Sequence, residues 1–281
     1  MSSRPDLDAY FTRIRYAGSR APTRATLDAI IHAHVMAIPF ENLDILLGRG
    51  IDIDPAAIEA KLVHGGRGGY CFEQNTLLLH VLAALGFEVE ALSARVRIQR
   101  PRDFTPPRTH VFVRVMLDGR PRLADVGVGG LSPTASLALD TEDEQETPHE
   151  PRRLVKDGAW SGWTQRAPDA RIFHQAKLGE SWADVCELTL EAMPVIDRVI
   201  GNWFTSTHPD SHFGSRLQAA RATTDGRVTL LDRELTRRDR HGVGVSHTIA
   251  SEAELLAVLA EHFGLRFPAG TRFAARALVW S

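Results

Sequence analysis

The spacing of apolar positions predicts that the first third of the chain consists mostly of helices. Over residues 26–35 the apolar side chains recur at the period of an amphipathic helix. The Asp54–Pro55 pair supplies an N-cap and a proline for the first helical turn, and Gly65–Gly66 ends that helix. Gly86 ends a further helix, so residues 5–86 are predicted to be mainly helical.

After Phe87 the pattern changes to strands. Residues 140–151 are acidic and rich in turn formers, which predicts a surface loop. Helical spacing returns over residues 187–202, and a capping box at Ser251 opens a later helix that runs through Phe263. The predicted strands cover residues 88–96, 109–117, 120–127, 171–174, 227–231 and 244–248.

The order of these elements predicts an α+β multi-domain protein. Residues 1–86 form a helical domain, residues 87–190 a β-barrel domain, and residues 191–281 a helix with an α/β lid. No internal repeat or low-complexity tract interrupts this order.

Composition excludes several classes of protein. The chain has 281 residues, enough for two or three modest domains, and its net charge of −2 suggests no nucleic-acid or anionic-membrane partner. The N-terminus has no apolar signal region, and no apolar run approaches the length of a membrane span. Cys71 and Cys186 are the two cysteines, which argues for free thiols in a reducing compartment. A cytoplasmic protein is therefore expected.

The most informative segment is the glycine pair that leads into Cys71. A helix-like run follows the cysteine at once, so the thiol would lie at the positive end of a helix dipole, which favours thiolate. Glycine on the approach removes side-chain bulk and permits backbone angles that other residues avoid. These features suit covalent acyl transfer, in which a nucleophile lies beside free backbone N–H groups. A small buried cysteine in a tight turn is the equally open alternative.

A predicted β-hairpin downstream couples His110 to Asp125. Asp118–Gly119 indicates a two-residue turn, which places Leu117 opposite Arg120. Counting back from the turn, Asp125 lies one diagonal step from His110 on the same face, roughly 7–8 Å away at the backbone. Cys71, His110 and Asp125 would then be a nucleophile, a base and the group that orients the base. The sequence leaves open whether Cys71 meets His110, and whether the pair is only a surface or structural one.

The motifs give the chain a family resemblance. Residues 67–75 fulfil the pattern Arg-Gly-Gly-x-Cys-x-Glu-x-Asn in full, and four further segments follow the same family's order along the chain. With these segments the chain resembles the arylamine N-acetyltransferases. The further segments are residues 39–43, 109–111, 125–130 and 202–213.

The resemblance implies a cysteine-protease-like core with an added lid, and a ping-pong reaction. Cys71 would take an acetyl group from acetyl-coenzyme A as a thioester and pass it to an arylamine or arylhydrazine. His110 would be the base and Asp125 its orienting group. The resemblance also implies structural roles near the site for three further residues. Glu41 and Arg67 would form an ion pair, and Asn75 would make hydrogen bonds to the backbone.

The resemblance also suggests binding residues, each with an ordinary structural alternative. Candidate contacts to coenzyme A include three turn glycines, which could present N–H groups to phosphate: Gly127, Gly129 and Gly130. The other candidate contacts to coenzyme A are Thr109, His208 and Ser211. Candidate contacts to the substrate are the aromatic residues Phe40, Trp203 and Phe204. The alternatives are a tight strand exit for the glycines, turn hydroxyls for Thr109 and Ser211, and core packing for the aromatics. The spacing of His208 and His212 across Pro209 is poor for a metal, and none is expected.

Three other functions remain open from the sequence. An amide synthase of the same family, acting on a polyketide-type acyl chain, would use the same residues. A cysteine hydrolase or transglutaminase-like enzyme could use the same triad, since only the acceptor differs. A protein that carries the triad but only binds an acyl carrier or partner is the third. The physiological amine, the acyl-chain length and the oligomeric state are likewise left open.

Overall fold

The computed structural model describes residues 4–240 and 242–280. The described residues form seven α-helices: α1 (Leu7–Ile14), α2 (Arg24–Ala37), α3 (Leu43–Leu46), α4 (Pro55–Glu59), α5 (Cys71–Ala84), α6 (Val195–Thr207) and α7 (Glu252–Phe263). A π-helical turn, Ala60–His64, continues α4.

The described strands form a seven-stranded sheet, a five-stranded sheet and a two-stranded ribbon. The strands are β1 (Phe40–Glu41), β2 (Glu88–Val96), β3 (His110–Leu117), β4 (Arg120–Ala124), β5 (Leu137–Ala138), β6 (Arg152–Asp157), β7 (Trp160–Ser161), β8 (Thr164–Gln165), β9 (Arg171–Leu178), β10 (Ser181–Ala192), β11 (Gln218–Thr223), β12 (Gly226–Leu231), β13 (Glu234–Asp239) and β14 (Gly244–Thr248).

The helical first part forms as the sequence predicts. The side chain of Asp54 accepts a hydrogen bond from the first turn of α4, with proline at the predicted position. Leu85 and Gly86, which has φ +88°, end the helix that begins at Cys71. Apolar side chains of α1, α2, the π turn and α5 share one core with residues of β3 and β4. The helix bearing Cys71 is thereby packed against the strands that follow His110.

The seven-stranded sheet forms the barrel, in the order β5-β4-β3-β2-β10-β9-β6. Its predicted hairpin is present: Leu117 pairs with Arg120, and Asp118 and Gly119 have φ of 51° and 73°, as a type I′ turn requires. Strand β4 ends at Ala124, so Asp125 opens the following turn instead of continuing the strand. The hairpin register nevertheless places Asp125 beyond the Val113–Ala124 pair, near the start of β3.

The five-stranded sheet has the order β1-β11-β12-β13-β14, so its first strand comes from the helical part of the chain. Helix α7 packs with this sheet, and Ser251 caps its start by accepting from the Glu254 N–H. The predicted capping box is only half formed, because the Glu254 carboxylate accepts the N–H of Ala250 and not that of Ser251. Leu43 and Leu46 of α3 lie in the same core as residues of α7. We call β11–β14 with α7 the lid.

Two further sequence predictions need correction. Residues 187–192 are not helical, because they continue β10, whose residues pair with β2 and β9 on either side. The helix begins only at Val195, after Pro194. The segment 140–151 is a loop, but its end is not at the surface: His149 and Glu150 are buried against the lid. No helix among the described residues has the length and apolarity to cross a membrane.

Candidate active site

The turn before Cys71 is too crowded for side chains at its two glycines. A Cβ on Gly68 would lie 2.1 Å from the carbonyl oxygen of Pro39, and one on Gly69 would lie 2.7 Å from Oε2 of Glu73. That carboxylate accepts the backbone N–H of Tyr70 at 3.0 Å, which caps the start of α5. Cys71 is therefore the first residue of its helix, as predicted.

A chain of ion pairs holds this turn in place. Arg67 donates to Oε1 of Glu41 through Nε (3.0 Å) and Nη2 (2.7 Å), and to Asp44 at 3.1 Å. Lys61, on the π turn, contacts Asp44 at 2.8 Å and Glu73 at 2.7 Å. Burial raises the pKa of Glu73 to about 7, although Lys61 opposes that shift. The predicted Glu41–Arg67 pair is present, and Lys61 extends it to the helix cap.

His110 and Asp125 form a buried pair. Nε2 of His110 donates to Oδ2 of Asp125 at 3.0 Å. The other carboxylate oxygen, Oδ1, accepts from Nδ2 of Asn75 and from the Gly127 N–H, both at 2.8 Å. Asn75 also donates to the Val111 carbonyl at 2.7 Å, while its own oxygen accepts the Val126 N–H at 2.9 Å. The predicted backbone contacts of Asn75 are thus present, and they tie α5 directly to the hairpin.

Cys71 lies beside this pair. Its thiol donates to the carbonyl oxygen of Thr109 at 3.4 Å. Nδ1 of His110 is buried and has no hydrogen-bond partner among the described residues. A Cβ on Gly127 would lie 2.7 Å from Cα of Cys71, so only glycine allows the turn after Asp125 to approach this closely. The structure brings the three predicted triad residues together, which sequence alone could not establish.

Electrostatics at the pair favour a charged imidazole. Burial by itself lowers the pKa of His110, but charge and hydrogen bonding with Asp125, followed by the electrostatic interaction with Cys71, outweigh burial and raise it above the ordinary value. For Asp125, burial raises the pKa, while His110, Asn75 and the Gly127 N–H lower it, with a net shift downwards. The carboxylate therefore stays ionised and can stabilise an imidazolium.

A cleft of about 430 Å³ opens between the barrel and the lid. Phe40, Gly129 and Gly130 line it, and both glycines lie close to other residues that line the cleft. A Cβ on Gly129 would lie 3.4 Å from the Phe40 ring, and one on Gly130 would lie 2.8 Å from Cγ2 of Thr229. Phe40 also belongs to the same apolar cluster as Cys71, although Cys71 itself does not line the cleft. Its other lining residues include Ile98, Val128, Leu131, Ala220, Arg227, Thr236 and Arg238.

The remaining predicted contacts lie on or just after α6, outside the lining of that cleft. Trp203 is 58% exposed on the outer face of the helix. Phe204 stacks on His208 with ring centroids 4.6 Å apart. Ser211 is buried and donates to the Thr205 carbonyl, which fixes the turn after α6. The structure does not bring Trp203, Phe204, His208 or Ser211 to the cysteine, and their binding roles stay predictions.

Two aromatic residues beside the site, Tyr70 and Phe213, were not among the predicted site residues. The Phe213 ring lies 6.2 Å from Phe40 and 5.7 Å from Tyr70, between centroids. Tyr70 in turn contacts Asn202 of α6. The preceding residue of that helix, Gly201, packs on the Phe72 ring. Phe213 falls in a segment that matches the family. Its contact with Tyr70 joins two residues that are 143 positions apart along the chain, and only the fold reveals it.

The second cysteine is set apart from this chemistry. Cys186 is a free, fully buried thiol on β10, and burial raises its pKa well above the ordinary value. In the described part of the chain, no group of three or more His, Cys, Asp or Glu side chains could hold a metal ion.

Comparisons with known proteins agree with these features. A family model described as N-acetyltransferase matches residues 23–271. The arylamine N-acetyltransferase of Mycolicibacterium smegmatis is 42% identical to this chain over 92% of it and 92% of the relative. A solved structure of M. smegmatis arylamine N-acetyltransferase has a TM-score of 0.87 at 39% identity, covering 97% of each chain. The Mycobacterium marinum enzyme in complex with CoA has a TM-score of 0.84 at 38% identity, covering 92% of each.

The matches first define the class: the chain is an acyltransferase. It belongs to the arylamine N-acetyltransferase family. The resemblance inferred from the motifs is thereby confirmed, and so is the predicted α+β multi-domain fold. The exact domain limits at residues 86 and 190 stay predictions.

Proposed function

We propose that this chain transfers an acetyl group from acetyl-coenzyme A to an arylamine or arylhydrazine by a ping-pong reaction through an acetyl thioester on Cys71. One observation carries the proposal: Cys71, at the start of α5, lies beside a buried imidazole whose far nitrogen is held 3.0 Å from an ionised carboxylate. The family relationship and the CoA bound by the M. marinum relative support the choice of donor.

The first half-reaction loads the enzyme. Nδ1 of His110, which has no other partner among the described residues, takes the proton of the Cys71 thiol. Sγ attacks the thioester carbonyl of the donor, and N–H groups at the start of α5 are suited to stabilise the oxyanion. The carbon–sulfur bond to coenzyme A then breaks, and the leaving thiolate takes the proton from His110. Asp125 stabilises the imidazolium throughout.

The second half-reaction unloads it. The amine nitrogen attacks the acetyl carbonyl on Cys71 while Nδ1 of His110 takes a proton from that nitrogen. The bond to Sγ breaks, the amide leaves, and the thiol is restored when the proton returns to sulfur. In this scheme Phe40 borders the amine, and the turn of Gly127, Gly129 and Gly130, with Thr109, borders the donor.

The experiment is intact-mass spectrometry of the protein after incubation with acetyl-coenzyme A and no amine. We expect a gain of one acetyl group, lost again when an arylamine is added. Cys71→Ala should abolish the gain. Cys186→Ala is the matched control, because that thiol is fully buried in the barrel, and it should still be acetylated.

Two outcomes would refute the proposal. If Cys71→Ala gains an acetyl group as wild type does, the intermediate lies elsewhere. If wild type loses its acetyl group to water as fast as to an amine, the protein is a hydrolase and not a transferase.

A further inference from the structure

The lid presents two arginines directly opposite each other towards the cleft. In the antiparallel pairing of β12 with β13, Arg227 faces Arg238 and the next pair on the same side is Thr229 with Thr236. All four line the cleft beside Gly130. Like charges directly opposite on one sheet face destabilise it, so this arrangement calls for a compensating anion.

Within the described residues, one carboxylate, that of Glu150, forms ion pairs with these two arginines. Glu150 accepts from Nε and Nη2 of Arg227 at 2.8 and 2.7 Å, and from Nη2 of Arg238 at 3.0 Å. Its third partner is Nη2 of Arg152, at 3.2 Å, which is fully buried in the barrel. Three guanidinium groups therefore converge on one carboxylate, an excess of two positive charges.

Within the described part of the chain, the cluster leaves several guanidinium donors without partners. Among the described residues, Nη1 of Arg227 and both Nε and Nη1 of Arg238 have no hydrogen-bond partner. The Arg238 side chain is 25% exposed, while that of Arg227 is only 3% exposed. Burial lowers the pKa of Arg238, consistent with a charge that water and Glu150 only partly compensate. Buried charge without a full set of partners costs free energy, which a bound anion would recover.

We propose that Arg227 and Arg238, with the hydroxyl of Thr229, form a subsite for an anionic oxygen group of a substrate held in the cleft. Guanidinium groups bind phosphate and carboxylate oxygens through paired N–H donors. The subsite rests on the proposed function, because Phe40 of the cleft lies in the same apolar cluster as Cys71. Two substrate groups carry the required chemistry: a phosphate of the acetyl donor, or a carboxylate on the ring of the amine.

Steady-state kinetics of Arg238→Gln distinguish the two sources. Two donors are compared, acetyl-coenzyme A and the phosphate-free S-acetyl-N-acetylcysteamine, and two acceptors, 4-aminobenzoate and aniline. We expect a loss of about tenfold in kcat/KM, mainly through KM, for the substrate that bears the anion relative to its uncharged counterpart. A loss confined to acetyl-coenzyme A assigns the site to phosphate, and one confined to 4-aminobenzoate assigns it to the ring carboxylate.

The matched control is Arg237→Gln. Arg237 is the preceding residue of β13, is exposed and contacts His262 outside the cleft, so its loss removes the same charge from the opposite face. It should leave both ratios unchanged. Arg238→Lys keeps a charge but not the paired donors, and should recover only part of the loss. Equal losses for charged and uncharged substrates, or the same ratios in both glutamine variants, would overturn the subsite.

A binding measurement without turnover separates this inference from the proposed function. Calorimetric titration of wild type and Arg238→Gln with coenzyme A and with 4-aminobenzoate should show weaker binding of one of them by about tenfold. Unchanged affinity for both would refute the subsite even if Cys71 is acetylated. Absence of acetylation would refute the proposed function and leave this titration as an independent test.

Discussion

At the scale of single residues, Asp125 holds the site together more than its place in the triad suggests. Its two oxygens accept from His110, Asn75 and the Gly127 N–H, so one carboxylate fixes the base, the cysteine helix and the glycine turn. Because it binds Nε2 of His110, the other ring nitrogen faces Cys71 as an acceptor in the neutral tautomer.

Asp125→Asn should reverse that tautomer. The amide would donate to Nε2, so Nδ1 would carry the proton and could not accept one from Cys71. We expect turnover to fall by about three to four orders of magnitude, as orientation of the base is lost. Stopped-flow acetylation of Cys71 measures this loss. Asp140→Asn, at the barrel surface beside Arg120, is the control. Near-wild-type acetylation would remove Asp125 from the triad.

At the scale of elements, a buried polar chain joins three helices to the cysteine turn. Tyr10 of α1 donates to Nδ1 of His34 at 2.9 Å, and Nε2 of His34 donates to Gln74 of α5 at 2.6 Å. Gln74 then donates to the carbonyl oxygens of Pro39 and Gly69. Burial lowers the pKa of His34 to about 4, so the imidazole is neutral in the folded protein near neutral pH.

His34 should make the fold sensitive to acid. A folded-state pKa below the ordinary 6.5 means that its contribution is complete above pH 6.5 and is lost as pH falls towards 4. Over that range wild type should lose on the order of 3 kcal/mol more unfolding free energy than His34→Gln. Urea unfolding at a series of pH values measures the difference. His64→Gln, at an exposed histidine, should follow wild type, and a His34→Gln curve parallel to wild type would contradict the assignment.

The sequence predicts elements well where local signals fix them. The Asp118–Gly119 turn sets the register that places Asp125 near His110, and caps at Asp54 and Ser251 mark helix starts correctly. Residues 187–192 were predicted wrongly, because pairing with two neighbouring strands overrides an ambiguous apolar spacing. The approach of Cys71 to His110 and the convergence of arginines on Glu150 depend on long-range packing, for which the sequence carries no local signal.

At the scale of the whole molecule, the lid is built partly from the first part of the chain. Strand β1 pairs with β11, and Leu46 of α3 lies in the core beneath α7. The final segment returns to the same place: the Ala274 N–H donates to the Leu46 carbonyl at 2.9 Å, and Phe267 stacks under Arg67. The lid and the helices are therefore expected to unfold as one unit.

Leu46→Ala tests this coupling. Leu46 is 2% exposed, so its truncation should cost about 2–5 kcal/mol. Trp160, Trp163 and Trp182 lie among the barrel strands, Trp203 lies on α6, and Trp280 packs against the lid core. Tryptophan fluorescence therefore reports mainly on the barrel and the parts that follow it, while far-UV circular dichroism is weighted towards the helices. Both signals should shift together to lower temperature. Val245→Ala, at a side chain 73% exposed on β14, should shift neither. Separate transitions in Leu46→Ala would show that the lid unfolds independently.

The isolation of Cys186 within the barrel has a practical consequence. With that sulfur sealed from solvent, a small alkylating reagent should find one competent thiol per native chain, the one beside His110. The amount of reagent consumed per mole of protein would then equal the fraction of chains with a correctly folded active site. Rates measured on different preparations could be divided by that fraction before they are compared.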